Sequence, residues 1–200
     1  MTTTKKTTRT TKTVTVAAKS STNLNLPKNP FMFEILDLVS RQRSKAKKVE
    51  VLKKYEELCL KGILIWNYDE SIVTLLPEGE VPYADPEDQV TYSGTLSTKI
   101  DEATRKMYET GSFSIGTSDN QAKTTIRREA KNFYHFLRGG NMSLSTIRRE
   151  SMFINLLEGL HPLEAEIICL VKDKKLSDKY KVTKEIVTEA YNDIKWGGRS

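Results

Sequence analysis

Cysteine is almost missing from this 200-residue chain: Cys59 and Cys169 stand 110 positions apart, and no CxxC pair occurs. That excludes a disulfide scaffold and a zinc finger, and fits a reducing cytosol. Long apolar runs are missing too. The longest, Ile167 to Val171, falls far short of the roughly 20 residues that a membrane span needs, so no contact with a membrane is expected. There are two histidines, His135 and His161, with no HxH or HxxxH spacing, and hence no recognisable metal site. No GxxxxGK[ST] or GxGxxG cradles a phosphate, and no GxSxG presents a nucleophile. No cofactor and no metal are therefore expected, and no catalytic residue stands out.

What is present is charge, unevenly placed. The net charge is +6 and the pI about 9.2. Residues 1–22 hold Lys5, Lys6, Arg9, Lys12 and Lys19 with no acid, and ten of those 22 residues are threonine. Such a segment has too little apolar surface to offset the entropy of ordering it. It also lacks the continuous apolar stretch of a secretion signal. A disordered basic arm over residues 1–28 is expected. A second basic block follows, in which Arg41, Arg43, Lys45, Lys47, Lys48, Lys53 and Lys54 face the single acid Glu50. Lys5, Lys6, Arg9, Lys12, Arg41, Arg43, Lys45, Lys47 and Lys48 are the candidate phosphate contacts, because each neutralised phosphate releases condensed counterions. A solvated helix face carries the same residues, as does a dock for an acidic protein. All three readings stay open at this point.

Periodicity predicts a mainly α protein, a small helical bundle forming one domain over residues 29–195. Asn29-Pro30 is a helix start, followed by Phe31, Phe33, Ile35, Leu36, Leu38 and Val39. A second helix is expected from Ser44 to Gly62, with Ala46, Val49 and Leu52 on its stripe. Two short apolar runs, 63–66 and 71–76, flank a polar break and predict a short β-hairpin near 63–76, with a helical continuation of the second run as the competing reading. Pro77, Gly79, Pro82 and Pro86 then impose an irregular path into a loop-rich insertion at about 84–121, whose one helix candidate is Ser97 to Thr110. Ile126, Ala130, Phe133 and Leu137 define the next helix, closed by Gly139-Gly140. Another ends at Gly159, and His161-Pro162 opens a third, with Glu164 complementing its dipole. A last helix runs from Thr183 to about Ile194. Phe153, Ile154, Leu157, Ile168 and Leu170 form the densest apolar set and are the expected core. The pentapeptide Thr125–Glu129 recurs letter for letter as Thr146–Glu150, which reads as convergence at two helix beginnings. The acids Asp69-Glu70 and Asp85-Glu87-Asp88 read as solvated turns. His135 reads as a satisfied, partly buried histidine, and Asp173-Lys174-Lys175 is at most the tail of a nuclease signature without its upstream acid.

Several stretches resemble an uncharacterised family of small tailed-phage proteins, found among T4-like myoviruses and those of marine cyanobacteria. They are Phe33 to Val39, Lys48 to Tyr55, Leu75 to Gly79 with Pro82-Tyr83, and above all Arg149 to Pro162 with Glu164 to Glu166 and Lys172 to Leu176. The match covers roughly residues 31–83 and 123–190. It passes over the Thr-rich arm and the middle insertion, which look like additions in this member. The resemblance implies a phage product acting in the cytoplasm of the infected bacterium or packaged in the virion, and it brings no catalytic residues. The expected function is non-enzymatic binding of a phage or host protein, or a nucleoprotein, in replication, transcription, packaging or assembly. Direct, non-specific binding of nucleic acid is the alternative, and an enzyme with a scattered site is the third reading.

Overall fold

The computed structural model describes residues 25–79 and 123–198. Within them lie eight α-helices: α1 (Met32–Arg41), α2 (Lys45–Lys54), α3 (Leu58–Tyr68), α4 (Ile126–Glu129), α5 (Thr146–Gly159), α6 (Pro162–Lys172), α7 (Leu176–Lys179) and α8 (Lys184–Ala190). The mainly α expectation holds. The Thr-rich stretch with Lys5, Lys6, Arg9 and Lys12, the 84–121 stretch and the helix expected at Ser97 to Thr110 fall outside the described residues.

Local chemistry explains where the helices start. α1 begins two residues after Pro30, because the Phe31 N–H donates to the Glu34 carboxylate at 2.7 Å and so closes the first turn there. The Ser44 hydroxyl caps α2 by accepting from the Lys47 N–H, as its position suggested. Thr125 and Ser145 cap α4 and α5 in the same way. The repeated pentapeptide is thus read in two registers, with Thr125 as a cap and Thr146 already inside its helix. His161 caps α6, its Nδ1 accepting from the Leu163 N–H at 3.2 Å, with Pro162 in the first turn.

The expected β-hairpin is not formed. Residues 63–66 belong to α3, and the second helix stops at Lys54 instead of reaching Gly62. Burial overrides the strand-like composition: Leu60, Ile63, Leu64 and Trp66 are all interior, with α3 packed on α6. Residues 73–75 pair instead with 136–138, through an isolated antiparallel bridge between Thr74 and Leu137. The helix expected from Ile126 tightens into 3₁₀ turns over Ala130–Phe136. Gly139 follows at φ +82°, and a Cβ on Gly140 would lie 1.9 Å from the Tyr134 carbonyl oxygen, so this turn needs both glycines. The last helix closes at Ala190, four residues short of the expectation, and α7 was not anticipated.

The core gathers around α6, where Ala165, Ile167, Ile168 and Val171 are fully buried. Phe153 and Leu157 join it as expected, with Leu156 and Ile167 also interior, whereas Ile154 and Leu170 are only half-buried. Because Ile168 has no exposed surface, Ile168→Val should lower stability by about 0.5–1.5 kcal/mol in a urea titration. No change would mean that the site collapses around the lost methyl. Cys59 and Cys169 are free thiols, each pushed up to about 12, mainly by burial. Among the described residues no helix is long and apolar enough to cross a membrane.

Candidate binding surface

The basic block wraps the start of α2, and the fold divides its cations into two groups. Arg41 pairs with Asp37 at 2.6 Å, one turn back on α1, and Lys45 with Glu189 of α8 at 2.9 Å. Lys48 donates to the Lys181 carbonyl, and its pKa is lowered by burial first and by the Lys181 charge second. Lys54 donates to the Asn25 side chain. Arg43, Lys47 and Lys53 are exposed, and their side chains make no ion pair or hydrogen bond among the described residues. Val49, Val51 and Leu52 face inward, whereas Ala46, placed on the buried stripe by sequence, is exposed. Glu50 shares the outer stripe with Lys47 and Lys54, so the face is basic without being purely so. Of the five candidate contacts that lie among the described residues, Arg43 and Lys47 are exposed and have no ion pair or hydrogen bond there, and Lys53 joins them.

Most of the buried polar chemistry holds backbone. Glu164, in the first turn of α6, is 1% exposed. Its carboxylate accepts the Ile126 N–H at 2.9 Å and the Met32 N–H at 3.3 Å, the first residues of α4 and α1. One side chain therefore closes two helix starts besides lying in its own. Burial raises its pKa, opposed by those N–H donors and by the nearby Arg127. Arg127 in turn makes a two-pronged bond to Glu57, at 2.7 and 2.8 Å. His161 is buried beside Phe31 and Phe33, with ring centroids 5.8 and 5.2 Å away, and burial brings it down to about 4. It caps a helix, as its place before Pro162 indicated.

A second polar cluster lies where α3 ends. Asp69 is 1% exposed, not a solvated turn: its carboxylate accepts from the Ser71 N–H and hydroxyl and from the Gly197 N–H. Glu70 beside it is exposed, and the acids 85–88 lie outside the described residues. The Asp173-Lys174-Lys175 run turns the chain after α6. The Lys175 N–H reaches the Leu170 carbonyl and the Lys174 N–H that of Val171, with Lys174 at φ 58°. The amine of Lys174 donates to the Asp69 carbonyl, and that of the buried Lys172 to the Pro77 carbonyl at 2.7 Å and to Asp173. His135 is half-buried, its Nδ1 accepting from the Asn141 amide at 3.2 Å. Arg149, which the sequence gave no reason to single out, is buried and donates to the carbonyls of His135, Asn141 and Leu144. Among the described residues no group of three or more His, Cys, Asp or Glu is placed to hold a metal ion.

One cavity, of about 260 Å³, opens between the start of α4, its 3₁₀ extension and α5. Phe136, Met152 and Leu156 form its apolar wall. Thr124, Glu129, Asn132 and Asn155 form its polar side. The Gly159 carbonyl fixes the approach to α4 by accepting the N–H groups of Lys123 and Thr124, both at 2.9 Å.

A family model described as a family of unknown function (DUF6433) matches residues 35–122 and 114–178. The match runs through residues 84–121, so that stretch is part of the family's pattern and not an addition peculiar to this chain. No curated protein and no solved structure matches the chain.

Proposed function

Since the chain belongs to this family of unknown function (DUF6433), which supplies no activity to carry over, we propose from its own residues that it works by binding a protein or nucleoprotein partner through the outer face of α2. The observation that carries this reading is the trio Arg43, just before α2, with Lys47 and Lys53 on it, exposed cations that have no ion pair or hydrogen bond among the described residues. The buried ionisable groups Glu164, His161, Asp69 and Lys172 are already engaged in holding backbone. The partner is a phage or host protein with an acidic surface, alone or on nucleic acid. The resemblance of Arg149 to Pro162 to tailed-phage proteins supports a phage product acting in the infected bacterial cytoplasm or the virion.

Direct nucleic-acid binding is the second reading, favoured by the five acid-free cations of residues 1–22, Lys5, Lys6, Arg9 and Lys12 among them. One experiment separates the two. Changing Arg43, Lys47 and Lys53 to Glu should abolish capture of the partner from infected-cell lysate while leaving the helical signal intact, and capture by the wild type should survive nuclease. Capture by the triple variant at the wild-type level would defeat the α2 reading. If purified wild type instead binds duplex DNA, retention should fall with salt by about 0.9 log unit per log unit for each phosphate contact. Base specificity is not expected, since Gln42, the one residue of the block suited to an adenine edge, is buried against the Leu38 carbonyl.

A further inference from the structure

We propose that the cavity beside Glu129 is a binding site for an alkylguanidinium group, of the kind an arginine side chain carries. Glu129 is half-buried, and each carboxylate oxygen holds one neutral donor: the Thr124 hydroxyl on Oε1 and the Asn132 amide on Oε2, both at 2.8 Å. Those donors fix the carboxylate without neutralising it, and no cation pairs with Glu129 among the described residues. A carboxylate accepts about four hydrogen bonds, so roughly two acceptor positions remain for a ligand. The Asn155 side chain, also on the lining, makes no hydrogen bond among the described residues and supplies a further acceptor.

The rest of the lining selects the ligand's shape. Phe136 and Leu156 are buried and present an apolar wall, which suits a methylene stem and a planar group able to lie against an aromatic ring. Guanidinium meets these demands together: planar, permanently charged, weakly hydrated, and able to donate two parallel bonds to one carboxylate. The volume of about 260 Å³ lies just under the roughly 300–1,000 Å³ of pockets for drug-sized ligands, so the site takes one side chain or fragment and not a cofactor.

This inference is independent of the α2 reading. The test is an NMR titration of the intact 200-residue chain, following the side-chain amides of Asn132 and Asn155, with butylguanidinium, N-acetylarginine amide and the neutral N-acetylcitrulline amide as probes. Both guanidinium probes should saturate the shifts and bind at least tenfold more tightly than the citrulline probe. Glu129→Gln should weaken them at least tenfold. Met152→Trp, which fills the cavity and leaves the carboxylate in place, should weaken them as much. The triple Glu variant of α2 should bind them unchanged. Non-saturating shifts, equal binding of citrulline, or undiminished binding by Glu129→Gln would overturn the proposal. An arginine tripeptide that binds tenfold more tightly than butylguanidinium would assign the site to a partner's side chain, and equal binding to a free small molecule; either result upholds the chemistry.

Discussion

Replacing Glu164 with alanine should lower the stability of the domain by about 2–6 kcal/mol. The estimate follows from two buried N–H groups, those of Met32 and Ile126, each left without an acceptor at about 1–3 kcal/mol. The loss is not confined to one helix, because the carboxylate closes the starts of α1 and α4 from its place on α6. Glu164→Gln keeps one acceptor oxygen and should cost distinctly less. Urea denaturation of both variants at pH 7 is the measurement. An alanine variant with the wild-type midpoint would mean that water already reaches the two N–H groups, and would remove Glu164 from its structural role.

Acidification should act through His161. Its folded pKa is about 4 against 6.5 for a free imidazole, so below neutrality the unfolded chain binds a proton that the folded chain refuses. The stabilisation is complete above pH 6.5 and drains away as the pH falls toward 4, about 3 kcal/mol over the window at roughly 1.4 kcal/mol per pH unit. The cause is burial. The cost is reinforced by Nδ1, whose lone pair accepts the Leu163 N–H and would be lost on protonation. Glu164 and Glu34 work in the opposite sense. Burial raises both, so their contributions are present below the ordinary carboxyl range and are lost as the pH rises through their folded values. His161→Asn keeps a side-chain acceptor at the cap and should flatten the acid limb of a plot of urea midpoint against pH. The limb due to the carboxylates should remain. An acid limb that survives the substitution would assign it to other groups.

Helix boundaries with local causes were legible in the sequence. Ser44, Gly159 with His161-Pro162, and Gly139-Gly140 each act through a hydrogen bond or backbone angle set within a few residues, and each stands where the pattern placed it. The hairpin failed for a physical reason. Ile63-Leu64-Ile65-Trp66 is a short apolar run whose period does not separate strand from helix, and Gly62 reads as a stop. In the fold nothing lies within 4 Å of a Cβ placed on Gly62, and packing against α6 carries the helix straight through it. The candidate surface was legible as charge but not as free charge. Arg41 finds its partner four residues away, yet Lys45 finds Glu189, 144 positions on, which no local pattern shows. Glu164 was read as a dipole complement at the start of α6; its bonds to residues 38 and 132 positions away exist only in the assembled fold.

The pairing of the chain's early helices with its late ones has a consequence for biosynthesis. α1 rests on α6 and α2 on α8, and the Tyr191 hydroxyl, just past α8, donates to the Leu52 carbonyl at 2.8 Å. The ribosome therefore releases the first two helices long before the surfaces that cover them exist. Met32, Leu36 and Val39, and then Val49 and Leu52, lack their late partners until α6 and α8 have been made, which leaves apolar surface of the growing chain exposed to solvent.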